Sequence, residues 1–562
     1  MTLLETPAPI LTTSRRRFLT LGTRALAGAA LLKTLPRGLA GEFDNAPWAD
    51  LARQMQGRLV RPGDADFASL NVQWALQHIT ELPTAIARCT SEADVIACVR
   101  WAVANKIPFS TRSGGYCHGG FSRSPGLIVD LGLIRSVEVD AAAGRVTAGG
   151  GSLNGTLFEP LKAVGLAYRH GSCPTVGLGG LLTGGGITLS MRDRGLASDG
   201  LESTRMVLWD GSVISCSETE NPDVFWAVRG AGGGKFGIHT QFTLRTFPAQ
   251  PTTRFSLRWY SNLETVFDRL HELALTGPST LAIRSAVAST TEPEGRRVHV
   301  RTSGQLYGSE DELMRLLRPA LDVATPELMD IKTEPYWDSQ AFLASNELTA
   351  YQHNRSRFFF GPVSTTAREA IFSHVRNWNE AAGTGLSVTF HTLGGRIREM
   401  GPEDTAVPFR AATLLAACVV FWKAEHADLS PAYLPRIDAL YDDLAPSASS
   451  YSFVNFADRR LAQPLVSYHG VHLPRLMSVK QRVDPRNVFR HLQSIVPLTV
   501  QNTPDGREVV ISRPKGFEKW VLESSPAVDG NGPWTPVEGV DSASEIRIPT
   551  DRIDRFFRLR SP

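Results

Sequence analysis

Hydrophobic and polar positions along residues 80–250 form short β-branched runs separated by segments with helical spacing. The segment DVIACVRWAVANKI repeats apolar residues at helical spacing, and Ser91 and Glu92 before it are helix start signals. Strands are predicted for the runs GLIVDL, SVEVD, RVTAGGG, RMVLWDGSVISC and FTLRTF. This mixture predicts an α+β or α/β domain.

The pattern changes in residues 251–450, where longer helices alternate with strands. Helices are predicted for DELMRLLRPALDV and TAREAIFSHVRNWNEAA, and strands for RRVHVRTSGQLY and SVTFHTLGG. We interpret this region as a second α+β domain. Residues 451–497 end in a predicted helix, LPRLMSVKQRVDPRNVF, which an Asp-Pro turn closes. Beyond residue 499, the runs REVVISR, EKWVLESS, EIRIP and FFRLR predict a small β appendage.

Three glycine-rich segments lie between residues 112 and 240: RSGGYCHGG, GSCPTVGLGGLLTGGGITLSMRDRGLASDGL and RGAGGGKFGIHT. Glycine lets the backbone approach a ligand closely, and successive backbone N–H groups form a concavity that binds anions. One glycine pair alone is typical of a tight turn. Three such segments together indicate one extended, phosphate-bearing ligand that is bound by backbone.

Several other classes of function are disfavoured by the composition and motifs. Lys235 in the third segment is followed by Phe236, not by the Ser or Thr of a triphosphate-binding loop. The early GxGxxG turn of a dinucleotide-binding Rossmann fold is missing. The six cysteines include no CxxC pair, which disfavours a zinc knuckle, and a disulfide framework is improbable in so large a chain. A net charge of +3 gives no basic footprint for nucleic acid.

The ordered motifs RSGGYCHGGFS…GLIVDL, GSCPTVGLGGLLTGGG…GLASDGL, NPDVFWAVRGAGGGKFGI, FVNFADRRL and VDPRNVFRHLQSI resemble one family. They are similar to the berberine-bridge-enzyme-like FAD-linked oxidases of the vanillyl-alcohol-oxidase superfamily. The resemblance covers residues 60–497 and implies an α+β fold with a two-part, PCMH-type FAD-binding domain. The two parts would be residues 41–250 and 451–498, with a substrate domain at 251–450 between them and a small β appendage at 499–562.

The resemblance also implies which residues hold FAD. The loop at residues 112–120 would wrap the diphosphate, and Cys173 matches the position at which family members bond flavin C6. The alternative for Cys173 is a small buried hydrophobic residue. Val176 matches a position beside the flavin where a small side chain favours oxidases, so H2O2 is an expected product. The implied FAD-binding residues are Arg112, Ser113, Gly114, Gly115, Tyr116, His118, Gly119, Ser122, Cys173, Val176, Gly177, Gly180, Gly185, Gly237, Ile238 and Asn455.

This chain departs from the family at two positions. Tyr116 stands where the family has the histidine that bonds the flavin 8α carbon, and His118 follows two residues later, on the same side of an extended segment. A bond through His118, an aryl ether through Tyr116 and no link from this loop all stay open. Phe456 stands where the family has a tyrosine base, and Phe453 also lacks a hydroxyl group.

Candidate replacement bases are Tyr468, His469 and His391, and for each of them the alternative is a core or surface residue. A neutral histidine is closer than tyrosine to the pKa that such a base needs. Arg396 and Arg410 are candidates for polar contacts with substrate, and structural roles suit them equally well.

The N-terminal segment TSRRRFLTLGTRALAGAALLKTLPRGLAG runs from three arginines into a short apolar stretch. Arg24 and Lys33 interrupt this stretch, so it is too short and too charged to span a bilayer. The segment at residues 1–40 resembles a twin-arginine export signal, with a basic amphipathic helix as the alternative. Gly38 and Ala40 predict cleavage before Gly41. The resemblance therefore implies use of the twin-arginine export machinery and a periplasmic or secreted protein.

The sequence predicts an exported FAD-dependent oxidoreductase that oxidises an alcohol. A sugar or oligosaccharide is the first candidate substrate, phenolic compounds remain open, and O2 is the expected electron acceptor. We predict no metal site, no nucleic-acid partner and no membrane anchor. The alternative is an exported flavin- or carbohydrate-binding protein that has lost turnover, which the missing tyrosine at Phe456 and the displaced histidine at His118 motivate.

Overall fold

The structure is a computed structural model. It describes residues 43–79, 82–292, 295–344, 351–378 and 384–496, together with short strand segments between 499 and 560. The predicted export signal at residues 1–40 lies outside the described residues.

A four-stranded sheet opens the described chain. Its elements are α1 Trp48–Gln54, β1 Arg58–Val60, α2 Phe67–Leu70, β2 Ala85–Arg88, α3 Glu92–Ala104, β3 Phe109–Arg112 and β4 Leu127–Asp130. The strand order is β1-β2-β4-β3, with β2, β4 and β3 parallel. The predicted start of α3 is confirmed, because the Ser91 side chain accepts a hydrogen bond from the N–H of Asp94. Every residue of β4 is buried, as expected for a central parallel strand.

The next sheet has six strands and carries the second and third glycine-rich segments between them. Its elements are β5 Val137–Asp140, β6 Arg145–Gly149, α4 Phe158–Lys162, β7 Leu166–Tyr168, α5 Leu178–Thr183, α6 Met191–Arg194, β8 Leu201–Val207, β9 Val213–Ser217, α7 Pro222–Ala227 and β10 Ile238–Pro248. The order is β5-β6-β10-β8-β9, and β7 pairs with β10. All five strand runs predicted for residues 80–250 are confirmed.

A seven-stranded antiparallel sheet follows. Its elements are β11 Thr252–Trp259, α8 Leu263–Thr276, β12 Leu281–Glu292, β13 Gly295–Leu306, α9 Glu310–Leu321, β14 Leu328–Glu334, α10 Tyr336–Leu343, β15 Tyr351–Phe359, α11 Thr365–Arg376, β16 Gly385–Thr392, β17 Leu414–Trp422 and α12 Ser430–Asp443. The order is β14-β11-β13-β12-β16-β17-β15. Helices α8, α9, α11 and α12 cover one face and bury Ile283 and Val287 of β12. Successive strand residues point to opposite faces, so Arg284 faces the other way.

The chain then returns to the first two sheets through α13 Pro464–His469 and α14 Leu473–Val483. Near the end of α14, the fully buried Lys480 side chain donates hydrogen bonds at 2.6 Å to the Asp484 carboxylate and to the backbone carbonyls of Lys235 and Phe489. This ion pair joins the third glycine-rich segment to the C-terminal segment.

The described part of the predicted appendage contains six strands: β18 Thr499–Asn502, β19 Glu508–Ser512, β20 Val521–Ser525, β21 Thr535–Pro536, β22 Glu545–Pro549 and β23 Phe556–Arg560. They make two three-stranded sheets, with the orders β18-β19-β22 and β21-β20-β23. The four tail runs predicted as strands are confirmed as β19, β20, β22 and β23.

Candidate functional site

A cavity of about 1180 Å³ lies between the glycine-rich segments and the face of the seven-stranded sheet that carries Arg284. Ligand pockets usually have volumes of about 300–1,000 Å³. This cavity therefore has room for an extended ligand along the glycine-rich wall and for a second, smaller molecule against the sheet.

The first glycine-rich segment starts where β3 ends. The buried guanidinium of Arg112 donates from Nε to Asp130 Oδ2 at 2.7 Å, which fixes the ends of the parallel strands β3 and β4 beside each other. A Cβ at Gly114 would lie 2.5 Å from the backbone nitrogen of Gly177, so the first two segments touch backbone to backbone. Gly115 has φ +69°, a left-handed conformation that other residues rarely adopt.

The glycine-rich wall presents open backbone and unpaired hydroxyl groups to the cavity. A Cβ at Gly180 or Gly234 would meet nothing within 4 Å. The buried hydroxyls of Ser110 and Ser122, both on the cavity lining, have no hydrogen-bond partner among the described residues. Buried polar groups are normally paired, so these positions fit a ligand with many acceptor oxygens. An FAD diphosphate fits this wall.

Tyr116 and Cys173 come together at the cavity from different segments. The Tyr116 hydroxyl lies 3.6 Å from Cys173 Sγ, and the Tyr116 ring stacks on Trp74 with centroids 4.3 Å apart. The His118 ring packs edge-on against Trp74 at 4.7 Å and against Phe456 at 5.2 Å. Tyr116 therefore lies beside the sulfur, whereas His118 lies toward the position of the missing tyrosine.

His391 on β16 reaches the same cavity from the seven-stranded sheet. Its ring centroid is 6.2 Å from that of Phe456. Burial lowers the pKa of His391 to about 3, with the positive charge of Arg284 as a second cause. The imidazole is therefore neutral near pH 7 and has a nitrogen that can accept a proton.

Tyr468 also borders the cavity, but its hydroxyl group is already hydrogen-bonded to other groups of the protein. This oxygen accepts a hydrogen bond from the N–H of Asp458 at 2.8 Å and donates to Gln493 Oε1 at 3.1 Å. Burial raises the pKa of Tyr468, which makes its phenolate harder to form.

His469 lies outside the cavity lining, with Nε2 3.2 Å from the Nζ of Lys235. Burial lowers the pKa of Lys235 to about 7 and the pKa of His469 well below its usual value. His469 therefore packs next to a buried amine on the glycine-rich side of the site.

Asn455 connects the C-terminal segment to the second glycine-rich segment. Its Nδ2 donates to the carbonyl of Leu181 at 3.1 Å, and a Cβ at Gly184 would overlap its side chain.

Most of the predicted site residues line the cavity: Ser113, Gly114, Gly115, Tyr116, His118, Ser122, Cys173, Val176, Gly177, Gly180, Gly237, Asn455, Tyr468 and His391. Those outside its lining are Arg112, Gly119, Gly185, Ile238 and His469.

The two arginines predicted to contact substrate do not reach the cavity. Arg410 is buried and donates to both oxygens of Asp199, at 2.7 and 2.8 Å. Arg396 forms an exposed ion pair with Glu399. Arg410 therefore forms an ion pair in the core, and Arg396 forms one at the surface.

Three arginines of the seven-stranded sheet line the cavity and were missed from the sequence: Arg258 on β11, Arg284 on β12 and Arg301 on β13. Polar and apolar residues alternate along β11 around Arg258 and along β13 around Arg301, but on β12 Arg284 shares its face with Ala282, Ala286 and Ala288. That alternation shows that the strand has a polar face, but it does not show that the polar face borders a cavity.

The part of the chain that the structure describes contains neither a metal-binding cluster nor a membrane-spanning helix. No group of three or more His, Cys, Asp or Glu side chains there could hold a metal ion. Within the same residues, no helix has the length and apolar character needed to cross a membrane.

Comparison with known proteins identifies the wall of glycine-rich segments. Residues 83–217 match the family model described as an FAD binding domain, and residues 452–496 match the model described as berberine and berberine like. These ranges contain the first two glycine-rich segments and the C-terminal return of the chain.

Curated relatives match along most of their length. The uncharacterized FAD-linked oxidoreductase YvdP of Bacillus subtilis is 30% identical over 450 residues, which cover 79% of this chain and 99% of that protein. The (R)-6-hydroxynicotine oxidase of Paenarthrobacter nicotinovorans is 28% identical, with 79% and 97% covered. The glucooligosaccharide oxidase of Sarocladium strictum is 28% identical, with 74% and 88% covered.

A solved structure shows the same fold. The wild-type BBE-like 1 protein of Physcomitrella patens has a TM-score of 0.71 and 25% identity, covering 80% of this chain and 98% of its own. The predicted PCMH-type α+β fold is therefore confirmed. Since the glycine-rich wall fits a dinucleotide and the relatives match nearly end to end, the chain belongs to the berberine-bridge-enzyme-like family of FAD-linked oxidoreductases.

Proposed function

We propose that this protein is an oxidase that converts an alcohol group of a sugar or oligosaccharide to a carbonyl group and reduces O2 to H2O2. The observation that carries the proposal is the shared cavity, in which an FAD-binding wall faces a polar sheet with His391 on it. When bound, FAD supplies the acceptor for the hydride from the alcohol carbon and passes the two electrons to O2.

His391 is the best placed of the three candidate bases. It borders the cavity on the substrate side, and its neutral imidazole can take the hydroxyl proton as the C–H bond breaks. The Tyr468 hydroxyl is committed to Asp458 and Gln493, and His469 faces Lys235 behind the lining. The polar sheet face is complementary to hydroxyl-rich substrates, and one relative is named a glucooligosaccharide oxidase.

The experiment is anaerobic mixing of the holoprotein with a panel of sugars and phenolic alcohols while the visible flavin band is recorded. We expect bleaching by at least one sugar, recovery of the band in air, and formation of one H2O2 for each carbonyl product. The small Val176 side chain on the lining is consistent with access of O2. Unchanged absorbance with every alcohol would refute the oxidase and favour a flavin- or carbohydrate-binding protein.

We also propose that Cys173 bonds the flavin. Cys173→Ala is expected to release all yellow colour into the supernatant after acid precipitation, because the thioether is lost, whereas the wild type keeps its colour in the pellet. Cys117→Ala is the matched control, since Cys117 also lines the cavity and its variant should keep the colour. If the acid-precipitated wild-type protein released its yellow colour into the supernatant, the proposed bond between Cys173 and the flavin would be contradicted.

The first glycine-rich segment offers two further anchors. If the Cys173→Ala protein keeps colour in the pellet, the flavin is held elsewhere. Adding Tyr116→Phe or His118→Ala to that variant then shows which side chain bonds it. The Tyr116 hydroxyl is in contact with the Cys173 sulfur at 3.6 Å, so Tyr116 lies beside the proposed anchor.

Export by the twin-arginine route is proposed from residues 1–40. Replacing Arg15 and Arg16 by lysine is expected to leave the full-length protein in the cytoplasm, because the signal depends on the arginine pair. Cell fractionation with an immunoblot measures this, and Arg24→Lys, outside the pair, is the control. Secretion of the double variant at the wild-type level would refute the assignment.

A further inference from the structure

We infer that two copies of this protein associate through β14, the end strand of the seven-stranded sheet, and form one continuous antiparallel sheet about a two-fold axis at Ile331. The surface lies outside the FAD-binding wall and is independent of the proposed function. Three features of β14 support this contact: the exposure of its residues, the direction of its free backbone groups and the order of the charges along it.

One edge of β14 is open to a further strand. In the described part of the chain, only β11 pairs with β14, so the other edge carries backbone groups without a strand partner. None of the seven residues of β14 is buried. Leu328 and Met329 are 54% and 49% exposed, although both side chains are large and apolar. An exposed edge of this kind is a template for pairing with another chain.

A contact with α9 shows which backbone groups point away from β11. The N–H of Thr333 donates to Glu310 Oε1 at 2.8 Å, so it faces outward from the sheet. The Thr333 hydroxyl also lies 2.7 Å from that of Thr253, the close approach expected of opposite residues that share no backbone hydrogen bond. Backbone groups alternate in direction along a strand, so those of Met329 and Ile331 face outward too.

The charges along β14 select one register for the two copies. With the axis at Ile331, Met329 lies opposite Thr333 of the partner subunit, and both of these positions have outward-facing backbone groups. Asp330 then lies opposite Lys332 of the partner subunit, and symmetry repeats this pair. An axis at Asp330 or at Lys332 would place two like charges directly opposite each other. Opposite charges across a strand pair stabilise a sheet and like charges destabilise it, so the axis at Ile331 is favoured.

The two charged side chains are accessible to a second copy. Within one copy, Asp330 pairs with Arg254, and Lys332 pairs with Glu334 at 2.9 Å. The side chains of Asp330 and Lys332 are nevertheless more than half exposed. A lysine at a sheet edge normally prevents pairing with another chain. Here it would meet a carboxylate, so the same residue favours pairing in this register.

The first test measures association of the holoprotein by sedimentation velocity over a range of concentrations. We expect a reversible monomer–dimer equilibrium, because one pair of seven-residue strands makes a small interface. Asp330→Lys and Lys332→Asp are each expected to raise the dimer dissociation constant at least about 10-fold, because each places like charges opposite each other. Lys106→Asp changes an exposed lysine just after α3 and is the matched control, which should dimerise as the wild type does.

An equimolar mixture of the Asp330→Lys and Lys332→Asp proteins tests the register itself. In a mixed dimer, the introduced lysine lies opposite the introduced aspartate, and the unchanged Lys332 lies opposite the unchanged Asp330. The mixture should therefore associate within about 3-fold of the wild-type dissociation constant, although neither variant does so alone. If the mixture stays monomeric while the wild type dimerises, this register is wrong. The flavin content of each variant checks that it is folded.

Met329→Pro tests the backbone pairing without a change of charge. Proline is tolerated in an edge strand where the missing N–H faces solvent, so the sheet should stay intact. Loss of this outward donor should weaken the dimer at least about 10-fold. A wild-type protein that stays monomeric up to about 100 μM would overturn the inference, and so would a dimer that all three β14 variants leave unchanged. Binding of a different protein at this edge, abolished by Met329→Pro in an otherwise monomeric protein, would overturn it as well.

Discussion

His391→Gln is expected to lower kcat by about 10²–10⁴-fold while the protein keeps its full flavin content. The imidazole borders the cavity from the seven-stranded sheet, and this placement supports its role; burial with the charge of Arg284 holds its pKa at about 3, which keeps it neutral but makes it a weak base. A glutamine amide retains a polar group of similar reach but cannot accept the hydroxyl proton. Stopped-flow reduction of the bound flavin measures the step directly.

Two controls make this expectation specific. Tyr468→Phe removes a hydroxyl that binds Asp458 and Gln493, and we expect flavin reduction to change less than about 10-fold. Arg284→Gln removes a cause of the low His391 pKa, so the acid limb of the kcat profile should move to higher pH. Rapid flavin reduction in His391→Gln together with loss in Tyr468→Phe would assign the base to Tyr468 instead.

Asp484→Asn is expected to lower the free energy of unfolding by about 3–5 kcal/mol, because it leaves the buried Lys480 ammonium without its counter-charge. Both side chains of the pair are fully buried, and the Asp484 carboxylate also accepts the backbone N–H groups of Val488 and Phe489 at 2.8 Å. Because Lys480 also holds the carbonyl of Lys235, the variant should lose non-covalent contacts to FAD. Urea unfolding of the holoprotein, with flavin release recorded in parallel, measures both effects.

An exposed ion pair nearby is the control. Arg482 on α14 pairs with Asp223 at 2.6 Å, and both side chains are about half exposed. Arg482→Gln should therefore cost no more than about 1 kcal/mol. A loss below 1 kcal/mol in Asp484→Asn would show that the buried pair does not hold the C-terminal segment in place.

Local sequence patterns predicted most of the elements correctly. The helix from Glu92 and the strands on either side of it follow from spacing, a serine cap and β-branched runs, all of which act within about one turn or strand. The glycine-rich wall was also predictable, because an absent side chain is read directly from the sequence. The missing hydroxyl at Phe456, in contrast, is recognised only through the resemblance to the family.

The substrate side of the site was predicted less well. Arg396 and Arg410 are near His391 in the sequence, yet one is exposed and the other is bound to Asp199. The cavity arginines on β11, β12 and β13 come from three strands with loops and a helix between them. Their proximity depends on strand register, which the alternation of polar residues within one strand does not specify.

The sequence by itself therefore determined most of the elements and a glycine-rich wall for a phosphate-bearing ligand, because both depend on residue type and local spacing. The assignment of that ligand as FAD and the tyrosine expected at position 456 came from the resemblance to the family. Only the tertiary structure decided that His391 and Tyr468, but not His469, border the cavity, and that three arginines of one sheet line it. The physical reason is that a strand offers two faces, and pairing and sheet packing, acting between residues far apart in the chain, select the one that lines the site.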